Sequence, residues 1–424
     1  MAKLAHAQWS SRMGFVLAAA GSAVGLGNIW RFSYMVGDSG GAAFVLVYLA
    51  CVALVGLPIL VAEWMIGRRG QKNPINTMSD LAASHGKTRA WATIGVSGVL
   101  AAFLILSFYS VIGGWSLNYT LSSVIGTFNG QDADSIGALF SGMLGSPTTL
   151  LLWHTAFMVL VIGIVARGVT KGLESAARTM MPALVVLMLI LVGYGMTSGY
   201  FGETLSFMFS PDWSALNGGV VLAAMGQAFF TLSLGMGIMM AYGSYLGKDV
   251  NLISTARTVI ILDTAIALLA GLAIFPIVFA NGLSAGEGPG LIFVTLPLAF
   301  GNMTGGTILG LMFFLLLTFA ALTSAISLLE PVVETLEERT SMSRLVATFA
   351  SGIAVWALGV AALLSFNVWA EVLFFGLNIF DLLDTFTSKI LLPLTGLGAI
   401  LFAAWCLERK SVETELGLSA AGVG

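Results

Sequence analysis

The apolar residues of this chain gather into about ten stretches, each close to the length of a membrane span. A bilayer core of about 30 Å takes about 20 helical residues at a rise of about 1.5 Å each. Stretches of this kind cover roughly 11–35, 42–67, 91–125, 148–167, 173–197, 218–246, 252–282, 303–333, 344–365 and 380–407. The predicted fold class is an all-α membrane protein, because a membrane β-barrel would show alternating segments of about ten residues instead. Composition excludes the other classes. Charged residues are 9% of the 424, against about 25% in soluble domains. Disorder needs low hydropathy and high net charge, and the net charge here is −3. That acidic balance also argues against a nucleic-acid partner; the expected surroundings are a lipid bilayer.

Charge gives the topology. If the spans alternate, 16 of the 18 Lys and Arg residues fall on one side, and only Arg31 and Lys389 lie toward the other. Cytoplasmic loops carry the basic excess, so both termini are expected in the cytoplasm. The expected location is the plasma (inner) membrane of a bacterium. Cys51 and Cys406 are isolated thiols in apolar segments, and His6, His85 and His154 show no metal-ligand spacing. There is no P-loop match, which argues against ATP-driven transport.

Two spans carry helix-breaking runs. The first reads Gly21-Ser22-Ala23-Val24-Gly25-Leu26-Gly27-Asn28, followed by Arg31. Glycines so dense are costly in a continuous helix, although membrane glycines also serve close helix packing. The sixth reads Thr231-Leu232-Ser233-Leu234-Gly235-Met236-Gly237. The breaks open two groups of five spans that run in opposite senses, an inverted-topology repeat. Paired breaks of this kind point to a ligand site at the membrane midplane. Their half-helix N-termini attract a carboxylate and their freed carbonyls coordinate a cation. Asp263, an ionisable group inside the seventh span, is expected to be functional. Thr323 and Ser324 in the eighth offer hydroxyl oxygens to a small cation, or bond back to the preceding helical turn.

These residues resemble a known family. The runs Gly21–Phe32 (GSAVGLGNIWRF), Gly226–Gly237 (GQAFFTLSLGMG) and Ala320–Ser324 (AALTS) look like those of the neurotransmitter:sodium symporters, which have the LeuT fold. The resemblance runs over about residues 6–407 and is closest to bacterial transporters of hydrophobic amino acids. Together with the breaks it implies a LeuT-type 5+5 inverted repeat, with helices 1 and 6 unwound at the middle. The parts are a cytoplasmic segment 1–10, a first repeat 11–198, a second repeat 218–407 containing an external lid loop 281–303, and a cytoplasmic tail 408–424. The family usually has eleven or twelve spans, against ten read here.

The resemblance further implies a sodium-coupled symporter of hydrophobic L-amino acids that works by alternating access, with no enzymatic activity. Two sodium ions are implied. The first would use Ala23, Asn28, Thr231 and Asp263; the second would use Gly21, Val24, Ala320, Thr323 and Ser324. The amino acid would meet Ser22, Ala23, Leu26, Gly27, Ile105, Tyr109, Phe230, Thr231, Ser233, Met236, Ser324 and Leu328. No charged side chain is in that set, and flexible Met236 suits varied side chains, aliphatic and aromatic, Trp included. Arg31 and Asp384 would form an outer gate. Trp9, Tyr245 and Glu338 would form an inner one, with His6 where the family has a basic partner. Gly172 and Pro182 match the spacing of an unwinding segment in helix 5. The family's chloride-site positions fall on Tyr48, Gln227, Thr231, Asp263 and Ala267. The Asp263 charge replaces the anion, so no chloride requirement is expected. A monomer is expected to suffice. A channel, a non-transporting sensor on the same fold and an intramembrane enzyme are the rival classes.

Overall fold

The structure is a computed structural model and describes residues 8–286 and 290–417. His6, Gly288 and Pro289 lie outside the described residues. Within them the chain is helical, and no strand is longer than one bridge between Phe374 and Leu377. Eight helices are long and apolar enough to span a membrane alone. They are α2 (Ala42–Gly70), α3 (Arg89–Val124), α4 (Pro147–Val165), α5 (Val169–Met196), α7 (Leu252–Ala280), α8 (Gly306–Thr340), α9 (Arg344–Leu364) and α10 (Ile379–Trp405). The first span, α1, is a bent pair, Arg12–Ala23 and Gly27–Asp38, with 48° between the halves. The sixth, α6, is two short helices, Gly218–Thr231 and Ile238–Ser244.

Helix starts follow local chemistry. Ser11, Ser146, Asn217, Asn251, Ser343 and Asn378 each turn a side-chain oxygen onto a backbone N–H of the first turn. Such a cap removes one of the orphan donors at a helix N-terminus. Arg68, at the end of α2, is buried and donates to the Val250 carbonyl (2.7 Å) and the Glu415 carboxylate (2.8 Å). It thereby pins a short helix, Arg409–Leu416, within the expected tail.

Both predicted breaks are present. At Val24 the backbone turns extended (φ −74°, ψ 98°) before the helix resumes. In α6, Ser233, Gly235 and Gly237 all have positive φ (53°, 73° and 69°). Only glycine adopts that region without steric cost. Ser233 carries it because its hydroxyl donates to the Ser22 carbonyl across the break (3.0 Å). The lid residues differ from an open loop: Leu291–Thr295 and Leu296–Asn302 are helical, and Phe293 packs on Trp115 at 5.5 Å and Tyr119 at 5.2 Å. Helix 5 is wound from Val169 onward, beginning with a π-helical turn, Val169–Glu174.

Gly235 supplies a test of the α6 break. A Cβ there would strike the Leu392 carbonyl, and a left-handed backbone alone costs a non-glycine residue about 1–2 kcal/mol. Gly235→Ala is expected to lower the melting temperature in detergent. Gly226→Ala, in the regular part of α6 with open space around it, is expected to hold or raise it.

Candidate functional site

The two breaks face each other, and side chains from α2, α3, α7 and α8 complete them. Asn28, just after the α1 break, donates from Nδ2 to an Asp263 carboxylate oxygen (2.8 Å) and to the Asp263 carbonyl (3.1 Å). Its Oδ1 accepts from the Gly25 N–H (3.1 Å). Thr231, at the α6 break, donates its hydroxyl to the same carboxylate (3.1 Å). Asp263 is fully buried, and among the described residues no Lys or Arg pairs with it. A buried carboxylate without a basic partner is costly unless a cation joins it or a proton neutralises it. Among the described residues no group of three His, Cys, Asp or Glu side chains could hold a metal ion. The oxygens on offer are hydroxyl, amide, carbonyl and one carboxylate, which suits a small hard cation.

The second proposed cation set is assembled in part. Thr323 lies 3.1 Å from the Ala320 carbonyl and 3.5 Å from that of Val24, and Gly21 packs against its side chain. The Ser324 hydroxyl points elsewhere, donating to the Ser22 carbonyl at 3.0 Å. Ser324 lines the pocket and Thr323 does not, so the two hydroxyls reach different carbonyls of α1.

Between these groups lies a small cavity. It is lined by Ser22, Ala23, Gly27, Ile105, Tyr109, Phe230, Ser233, Met236, Ser324 and Leu328, all in the expected contact set, and by Gly25, which is not. The contour of this pocket contains no charged side chain. The open space is about 20 Å³, on the order of one water, so any larger ligand would seat only by displacing the lining. Ser233 and Ser324 each hydrogen-bond to Ser22 across it. Leu26 and Thr231 sit behind the lining, buried. The Leu26 N–H is taken by the Tyr109 hydroxyl (3.2 Å), so two members of the expected contact set bind each other here.

The gate residues are brought together only in part. Arg31 and Asp384 form no ion pair among the described residues. The Arg31 guanidinium stands 4.6 Å over the ring of Phe230, a cation–π contact that closes the pocket from above. Tyr34 lies within electrostatic reach of both Arg31 and Asp384. Below, Trp9 donates to the Tyr242 carbonyl (3.1 Å) and packs edge-on to Tyr245 (6.0 Å). The Tyr245 hydroxyl donates to Glu330 (2.8 Å), which also takes Arg344 (2.9 Å). Glu338 is elsewhere: it accepts from the Asn73 N–H (3.0 Å) and from Asn76 (3.2 Å). Glu330, Glu334 and Glu338 follow one face of α8 at four-residue steps, and Tyr245 stands at the level of the first. Gly172 and Pro182 lie in a helix that is wound here, so the structure holds no melted segment between them.

Two contacts escaped sequence reasoning. Glu63 of α2 is buried and accepts from the Gly235 N–H (2.8 Å). Gln227 donates to the Gly27 carbonyl (2.7 Å). The sequence signal for Glu63 is a lone carboxylate in the second apolar span.

Paired half-helices around a buried, cation-seeking pocket define a secondary transporter. The comparisons agree. The profile of the sodium:neurotransmitter symporter family matches residues 6–134 and 141–416, and the chain belongs to that family. It is 40% identical over 409 residues to the sodium-dependent transporter YhdH of Bacillus subtilis, covering 96% of this chain and 90% of that one. It is 35% identical to a sodium-dependent transporter of Methanocaldococcus jannaschii, covering 96% of this chain and 83% of that one. Among solved structures it matches MhsT in complex with L-phenylalanine at 49% identity and a TM-score of 0.91, covering 97% of this chain and 93% of that one. The fold is therefore the LeuT fold, and the chain is a multi-pass, sodium-dependent transporter rather than an enzyme.

Tyr109 can be tested directly. Tyr109→Phe removes the hydroxyl that meets the Leu26 N–H, and one hydrogen bond is worth about 1 kcal/mol net. Transport KM is expected to rise several-fold, with the melting temperature of the purified protein nearly unchanged.

Proposed function

We propose that this protein is a sodium-coupled symporter of hydrophobic L-amino acids, aliphatic and aromatic, Trp included, working by alternating access. The observation that carries the reading is the junction of Asn28, Asp263 and Thr231 with an uncharged pocket shared by the same two helix breaks. Sodium at the first site, held by Ala23, Asn28, Thr231 and Asp263, lies beside the carboxylate of the amino acid. Each ligand completes the other's site, so their coupling is reciprocal. A second sodium binds to the Gly21, Val24 and Ala320 carbonyls with Thr323 and Ser324, after Ser324 turns from Ser22.

The pocket supports the substrate class. Ile105, Met236 and Leu328 offer apolar contact, and a charged substrate side chain would lie there unpaired. MhsT, 49% identical, was solved with L-phenylalanine, which fits the same chemistry. The halves 11–198 and 218–407 act as the two inverted repeats, with 281–303 as the external lid. Arg31 over Phe230, with Asp384 nearby, forms the outer gate. Trp9, Tyr245 and the α8 carboxylates form the inner one, and the Gly172–Pro182 segment of α5 loosens on opening. Pro182 lacks a backbone donor, which weakens the turn before it. The protein sits in a bacterial plasma membrane with both termini cytoplasmic and transports as a monomer.

The experiment is uptake of labelled Trp and Leu into proteoliposomes, with sodium or potassium and with chloride or gluconate outside. Concentrative uptake that needs sodium and ignores chloride is expected. Sodium-dependent binding without accumulation would make the chain a sensor, and indifference to sodium would overturn both ion sites.

Asp263 underlies the chloride expectation, since its fixed charge repels an anion beside the first sodium. Asp263→Asn is expected to make uptake several-fold faster in chloride than in gluconate. An unchanged anion response in an active variant would refute that account.

A further inference from the structure

At the basic face, the first turn of α1 is held by two side chains of α5. Glu174 is 1% exposed. It accepts from the Ser10 backbone N–H (2.9 Å) and the Ser10 hydroxyl (2.5 Å). Arg178, one turn on, donates to Glu174 (2.6 Å), to the Ser10 hydroxyl (2.9 Å) and to the Ser11 hydroxyl (2.9 Å). Ser11 is the N-cap of α1, accepting from the Gly14 N–H at 3.0 Å. The Glu174 carboxyl fills the space where a Cβ on residue 14 would stand. A charged group is thus buried to grip the entry of one helix, and Gly14 makes room for it.

We propose that Glu174 and Arg178 form a clasp that keeps the first half of α1 seated on α5, and that its release is a step of opening to the basic face. The argument is one of position. The first half of α1 ends at the break that carries the Gly21 and Val24 carbonyls, and its other end is fastened by this clasp and by Trp9 on α6. Trp9 makes one indole hydrogen bond, one backbone hydrogen bond to the Tyr245 carbonyl and aromatic contacts; the clasp makes four charge-assisted hydrogen bonds to Ser10 and Ser11, the stronger kind. Both clasp residues lie between Gly172 and Pro182, and Glu174 ends the π-helical turn of α5. Rearrangement of that turn moves the clasp directly. Glu174 and Arg178 touch no ion or substrate; they act on the second sodium site through the seating of α1.

This rests on the alternating-access reading above, and the test separates the two. Val16 on α1 is buried. Val16→Cys, made in a Cys51→Ala, Cys406→Ala background, reports by its labelling rate how often α1 leaves its seat. In proteoliposomes, sodium is expected to protect that thiol in the otherwise unaltered protein. If sodium gives no protection there, the alternating-access reading fails and the proposal with it. Adding Glu174→Gln is expected to raise labelling in sodium about tenfold, the scale of a lost charge-assisted hydrogen bond, and to lower apparent sodium affinity. Substrate affinity at saturating sodium should stay unchanged, and Glu174→Asp should restore part of the protection. Ser10→Ala is a milder variant that should shift labelling the same way should Glu174→Gln fold poorly. Labelling in sodium equal to that of the parent in both variants would overturn the clasp. A rise equal with and without sodium, together with a lower melting temperature, would mark Glu174 as structural support only and would also overturn it.

Discussion

An interrupted helix in the middle of a membrane leaves backbone N–H and C=O groups where no water can reach them. Each unsatisfied group costs several kcal/mol in that setting. Much of this structure answers that one constraint. Asn28 takes the Gly25 N–H, Tyr109 the Leu26 N–H and Glu63 the Gly235 N–H. Gln227 serves the Gly27 carbonyl, while Ser233 and Ser324 both serve that of Ser22. The donors and acceptors come from α1, α2, α3, α6 and α8, so the breaks hold the bundle together as much as the bundle holds them. The ligand site is what remains when these obligations are met by side chains that can exchange partners.

That view explains what was legible in the sequence. Spans follow from length and hydropathy, and the breaks follow from glycine density, because both are local properties. Asp263 stood out because a carboxylate is rare in apolar helix. The resemblance then supplied roles for residues such as Ile105 and Leu328, which composition cannot tell from core. Partnerships were harder. Glu338 and Glu330 lie on one face of the same helix, and only packing decides that Tyr245 meets Glu330. Ser324 and Thr323 are sequence neighbours, yet helix geometry turns their hydroxyls to different carbonyls. Such choices depend on angles between elements, which a linear pattern does not carry.

The two closures are built differently. Above the pocket, one cation rests on one ring. Below it, Trp9, Tyr242, Tyr245, Glu330, Arg344 and the α5 clasp form a continuous layer of hydrogen bonds and edge-on aromatic contacts. A contact of the first kind is worth about 0.5–2 kcal/mol. The second kind is cooperative, and losing one member strands its partners.

Asn28 and Arg31 belong to the same π-helical turn, Gly27–Arg31. Arg31 follows Asn28 by three residues within that turn. The amide that holds Asp263 and the guanidinium that roofs the pocket are therefore adjacent on one turn. No relay through the protein is required for one to know the state of the other. Whatever tilts that single turn shifts the Asn28–Asp263 contact and the roof in the same motion.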